Sequence, residues 1–217
     1  MSNPDSFIQE VNEEVRRDRL FGYVRRYGWI AALLVLVLVG GAGFNEWRKA
    51  RAEARAQAFG DAVFEALGAT SAPARIAALE AVSADGGQRA VLRLLVAGEA
   101  LSQGDEAAAM AALAAIEGDA ALPAAYRQLA SLKRVMLAGP SMPAAEREAL
   151  LAGLAQPDQP FRPLAMEQIA LMRIEAGEHG VALTILREIL DEPAATQGLR
   201  ARAQQLIVSL GGAEEAG

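Results

Sequence analysis

At 217 residues the chain has room for one domain of ordinary size plus an accessory segment, and not for two large independent domains. Hydrophobic residues make up 53% and aromatics only 5%, with 48 alanines beside 20 glycines and 9 prolines, which excludes disorder and points to an all-α protein packed through small side chains. A net charge of −6 without a dense basic run argues against nucleic acid as a partner, and the absence of cysteine excludes disulfides, thiolate metal sites and thiol nucleophiles.

Residues 1–26 are charged and patterned as an amphipathic helix, with five arginines balanced by five carboxylates. From Tyr27 to Asn45 there follow 19 residues without a charge, and Trp29 to Val39 is continuously apolar. At about 1.5 Å per residue such a stretch matches the hydrocarbon thickness of a bilayer, so residues 27–47 are expected to form a transmembrane helix. Its expected anchors and lipid-facing residues are Tyr27, Trp29, Ile30, Leu33, Leu34, Leu36, Leu38, Phe44 and Trp47. A buried core helix of that length would carry a polar stripe, and this one has none. Gly41-Ala42-Gly43 offers the small residues of a signal-peptidase site, but the long charged segment before the apolar run suits a retained signal anchor better than a cleaved leader.

Basic residues flank the run on both sides: Arg16, Arg17, Arg19, Arg25 and Arg26 before it, and Arg48, Lys49, Arg51 and Arg55 after it. The excess of one places the N-terminus in the cytoplasm and the C-terminal domain outside it. The same residues would either meet anionic headgroups or serve only as topology determinants. No proline occurs between Pro4 and Pro73, so the N-terminal stretch, the span and a helical extension over 48–70 form one nearly continuous helix in expectation, with Gly40, Gly41 and Gly43 as its weak point.

Beyond residue 70 the pattern breaks at short intervals, at Ser71-Ala72-Pro73, Asp85-Gly86-Gly87, Gly104-Asp105, Gly118-Asp119, Gly139-Pro140, Pro157 to Pro160, Gly177-Glu178 and Asp191-Glu192-Pro193. Eight short antiparallel helices are predicted between and after these breaks. Hairpins strung in this way cannot bury their apolar faces alone, and stacking them over residues 71–211 gives an α-solenoid, with residues 212–217 as a disordered tail. Two hairpins repeat one order of residues: Val96-Ala97, Ala100, Gly104-Asp105, Ala109 and Leu113 return as Ile169-Ala170, Gly177-Glu178, Ala182 and Leu186, followed by Ile189 and Pro193. This resembles the tetratricopeptide repeat, in which small residues of two helices meet and a Gly-Asp type turn joins them. The recurrence is 73 residues rather than a multiple of 34, so the helices between about 122 and 154 are expected to be a degenerate or differently packed unit.

Chemistry finds little material. Glu175 and Glu178 flank His179, the only histidine, which is expected in an exposed turn and cannot form a multi-histidine metal site. Gly40 to Gly43 lies in an apolar run with no lysine in place for a phosphate loop, and Ser131, Ser141 and Ser209 lack a nucleophile context. Glu146 with Glu148, and Glu214 with Glu215, read as solvated carboxylates. No catalytic residue, cofactor or metal is expected, and the chain is read as a non-enzyme.

The order of parts is a charged helix over Phe7 to Leu20, then Tyr27-Gly28, one span and an alanine-rich repeat-like domain. It resembles the bacterial tetratricopeptide-like membrane proteins grouped with the ancillary SecYEG translocon subunit, of alphaproteobacterial type, a grouping that also includes the repeat domain of a cell-division coordinator. The resemblance implies a single-pass inner-membrane protein whose periplasmic solenoid works beside the SecYEG translocon with periplasmic chaperones. It carries no catalytic residues. In such a solenoid the first helix of each hairpin lines the groove, which nominates Leu94, Gly98, Leu101, Glu167, Leu171, Ile174 and Glu175 for protein binding. The rival expectation is a structural assembly factor for a cell-envelope, cell-division or cytochrome-maturation complex, self-associating through the membrane helix and its extension.

Topology gives the first prediction. A single cysteine introduced at Ala216 should react in intact cells with a membrane-impermeant maleimide, whereas protection until lysis would place the C-terminal domain in the cytoplasm.

Overall fold

A computed structural model describes residues 4–212, with side chains from Trp29 onward except those of Ala31, Ala32 and Val35. The expected tail from residue 213 onward lies outside the described residues. The chain divides into two compact units, Met1–Ala58 and Phe59–Gly217. Every regular element among the described residues is helical, in agreement with the all-α expectation.

The first helix, α1, runs Pro4–Leu67 and passes through Gly40, Gly41 and Gly43 without a break. A Cβ at any of these three glycines would meet open space, so they are not there to admit a neighbouring backbone within the chain. The amphipathic character expected of residues 1–26 rests on side chains outside the described residues.

In the second unit the end of α1 is followed by α2 (Ala72–Ala81), α3 (Gly86–Ser102), α4 (Glu106–Glu117), α5 (Ala124–Ala138), α6 (Ala144–Leu154), α7 (Arg162–Glu175), α8 (His179–Asp191) and α9 (Gln197–Ser209). The eight expected helices are all found, and each break lies at a helix boundary or in a connection. Local chemistry explains the boundaries: the side chains of Ser71, Asp105 and Thr196 accept hydrogen bonds from the backbone N–H groups of Ala74, Ala108 and Leu199 at the starts of α2, α4 and α9.

The 73-residue recurrence has a structural counterpart. Gly104 and Gly177 both adopt φ of 75°, a left-handed conformation that favours glycine. After α3 the Asp105 N–H donates to the Ala100 carbonyl and the Gly104 N–H to Leu101. After α7 the Glu178 N–H donates to Arg173 and the Gly177 N–H to Ile174. These are two copies of one helix-terminating motif, each turning the chain into the next helix after three residues. The α5–α6 connection departs from it, since Gly139–Ser141 forms a 3-10 turn and Pro143 precedes α6, in line with a differently built middle unit.

Each helix from α2 onward packs on its chain neighbours, and α3 with α5, α5 with α7, and α7 with α9 also touch. The core follows that order in four clusters. Ala66, Leu79 and Leu92 form the first, with Phe59 and Val63 of α1 against them. Ala90, Ala97, Ala100, Ala109 and Leu113 belong to the second, Leu132, Val135, Leu151 and Ala165 to the third, and Ala170, Leu186, Ile189 and Ala203 to the fourth. Eleven of the 26 buried apolar residues among those described are alanine, so these helices approach through methyl groups rather than long side chains.

The repeated small positions Ala97, Ala100, Ala109, Ala170 and Ala182 are all buried at such contacts. Replacing Ala170 by Leu should therefore overpack the α7 contact and lower stability by about 1–3 kcal/mol in urea unfolding. The same change at exposed Ala114 should stay within about 0.5 kcal/mol.

Candidate protein-docking groove

The seven residues nominated for binding fall on two separate helices. Leu94, Gly98 and Leu101 share one side of α3, while Glu167, Leu171, Ile174 and Glu175 lie on α7. The helix α5 touches both α3 and α7, so a groove uniting the two sets would have to run across α5. Leu94 is half-buried against the second core cluster, Gly98 is exposed with open space around it, and Leu101 is exposed. On α7, Leu171 and Ile174 are half-buried and Glu175 is exposed.

Glu167 takes a different place. It is 7% exposed, and its two carboxylate oxygens accept from Nε and Nη2 of Arg202 on α9 at 2.7 and 2.9 Å. The hydrogen bond to Glu167, then its charge, raises the Arg202 pKa above the ordinary arginine value. Glu167 thus ties α7 to α9 with both oxygens engaged, and Glu175 pairs with Arg147 of α6 at 2.8 Å.

A concavity lies on the other side of α3. A cleft of about 480 Å³ opens between the end of α2, the Val82 to Ala84 connection, α3 and α4. On α3 its wall is Arg89, Leu92, Arg93 and Val96, spaced i, i+3, i+4 and i+7, which at 100° per residue is roughly opposite the Leu94, Gly98 and Leu101 side. Val82 supplies partly exposed apolar surface facing them with fully buried Leu79 beneath it, and Ala112 and Ala115 form the α4 wall. Of these residues the sequence singles out Val96 alone, as part of the repeated hairpin order, and its break lies at Asp85-Gly86-Gly87; the local signal for the cleft wall is the i, i+3, i+4, i+7 stripe itself.

Both cleft arginines are held in place. Arg93 Nη1 donates to the Ala115 carbonyl at 2.9 Å and to Asp119 Oδ2 at 3.1 Å, setting a cation against the last turn of α4. Arg89 donates from Nε to the Ala84 carbonyl at 3.3 Å and from Nη2 to Asp85 at 3.2 Å. The cleft therefore sets two arginine head groups, each engaged by carbonyl and carboxylate oxygens of the chain, beside apolar side chains.

In the first unit, Trp29, Ile30, Leu33, Leu34, Leu36, Leu38, Phe44 and Trp47 are all exposed on α1, together with Val37 and Val39. Tyr27, the remaining nominated position, lies outside the described side chains, as do Ala31, Ala32 and Val35 of the same stretch. Among the described residues no helix is long and apolar enough to cross a membrane. Nor do they contain a group of three or more His, Asp or Glu side chains placed to hold a metal ion. His179 is the exposed first residue of α8 rather than a turn residue, because Glu178 already serves as that helix's N-cap.

Comparison of the chain with protein-family models, with curated proteins and with solved structures finds no match.

Arg93→Ala should release the cleft wall and cost about 1–2 kcal/mol in thermal or urea unfolding, with Arg93→Lys recovering only part because a flexible ammonium lacks the rigid planar group that aims both contacts.

Proposed function

We propose that the chain is a non-enzymatic scaffold anchored in the bacterial inner membrane, with its N-terminus in the cytoplasm and its C-terminal domain in the periplasm. The anchor is a single transmembrane helix over residues 27–47. The observation that carries this reading is the row of large apolar side chains exposed along α1, Trp29 at 65%, Leu36 at 70% and Val39 at 66% among them. Water is a poor solvent for such a row, since covering each side chain is worth about 1.5–3 kcal/mol, and a lipid phase covers all sides of a helix at once.

The second unit is read as a tetratricopeptide-like α-solenoid. Supporting this are the contacts of α3, α5, α7 and α9 in series and the shared turn of the α3–α4 and α7–α8 hairpins. Its task is to dock segments of other proteins, and the cleft beside α3 offers a place for one. Tethering at the membrane raises the effective concentration of such a weak site without any new contact. The partners proposed are the SecYEG translocon and periplasmic chaperones, with the protein acting as an ancillary subunit that links export to folding.

Two measurements test this. Alkaline carbonate should leave the protein in the membrane pellet, and Leu34→Arg with Leu36→Arg should release it, each charge at a helix centre costing about 2.5–3.5 kcal/mol. Crosslinking in intact membranes should then capture translocon subunits and chaperones; capture of further copies of the chain or of division proteins alone would instead identify an assembly factor.

A further inference from the structure

We infer that the segment Phe44 to Arg55 of α1 is a headgroup collar that selects anionic phospholipids, an inference that rests on the membrane-anchor reading. At 100° per residue, Phe44, Trp47, Arg48, Arg51 and Arg55 fall on one side of the helix, while Glu46 and Glu53 fall on the opposite side. Four cations against two carboxylates give these residues a charge of +2 in a chain whose total is −6, and the separation of signs concentrates the cations beside the aromatic rings.

The aromatic rings are organised. Phe44 and Trp47 have centroids 5.9 Å apart with an interplanar angle of 33°, and the Arg51 guanidinium lies 4.4 Å from the Trp47 ring centroid. Lying over the ring, a guanidinium uses its face and keeps its in-plane N–H donors for an external acceptor, and that planar fork matches a phosphate. An indole with an apolar body and a polar edge is at home where acyl chains give way to headgroups.

The collar cations also differ from most of those in the second unit. There Arg75 pairs with Glu99, Arg134 with Glu117, Arg147 with Glu175 and Arg202 with Glu167. Among the described residues Arg48, Lys49 and Arg55 make no ion pair, although Lys49 and Glu53 stand four apart on the helix. A zwitterionic headgroup brings its own cation to such a surface. An anionic one supplies the charge that three guanidinium groups on one face lack, and attraction of this kind is worth about five-fold in binding per basic residue at the surface.

The chain has two tryptophans, so Trp29→Phe leaves Trp47 as the single reporter at the collar. The full-length variant is reconstituted into vesicles in which either the phosphatidylglycerol or the phosphatidylcholine component is brominated, and quenching of Trp47 fluorescence is compared. The expected result is a preference of about five-fold or more for the anionic lipid. Adding Arg48→Gln, Arg51→Gln and Arg55→Gln should bring the ratio close to one while quenching by both lipids persists. Equal quenching before those substitutions, or a preference that survives them, overturns the collar and leaves the anchor standing. No quenching by either lipid overturns both.

Discussion

Close approach of short helices through alanine is the constraint on which the second unit depends. A methyl group at Ala97, Ala109, Ala170 or Ala182 loses no rotamer freedom on burial and lets two backbones come together, but each removes little apolar surface from water. The leucines and isoleucines at Leu113, Ile116, Leu186 and Ile189 must then supply most of the buried area, and they do so at the spacing the close contacts set. A helix of ten to seventeen residues has no independent stability on these terms, so every helix needs its neighbours.

Ion pairs add order rather than much stability. Arg134 of α5 reaches Glu117 at 2.5 Å and Glu146 at 3.4 Å, linking three consecutive segments with one side chain. Arg173 of α7 similarly holds Glu148 of α6 and Glu178 at the start of α8, and the hydrogen bond to Glu148 keeps its pKa above the ordinary value. Partly exposed pairs of this kind contribute about 0–1 kcal/mol each, yet a helix displaced along its neighbour would lose both partners of such an arginine together.

Glycine and proline made the helix boundaries legible, because Gly104, Gly177, Pro73 and Pro193 act through their own backbone limits, whatever surrounds them. The recurrence of Ala97 as Ala170 and Ala109 as Ala182 was legible for the same reason, since the turn and the small contact positions are read along one hairpin. Faces were harder. Glu167 looked like a groove residue because its partner Arg202 is 35 residues away, and no local pattern announces that pairing. On α3, apolar residues occur on both sides, so periodicity could not say that Leu92 and Val96 face the first core cluster and the cleft while Leu94 packs against the second cluster. The apolar run of α1 stood out from composition alone, whereas the stacking of Phe44, Trp47 and Arg51 required coordinates.

Contacts confined to near neighbours along the chain also govern how such a body comes apart. The last helix, α9, touches α8 and α7, and its core residues Leu199, Ala203 and Ile207 belong to the fourth cluster alone. Pulling on the C-terminus would strip that cluster while leaving the first three intact, then meet the next hairpin as a separate obstacle. Mechanical load is thus absorbed in steps rather than in one catastrophic event.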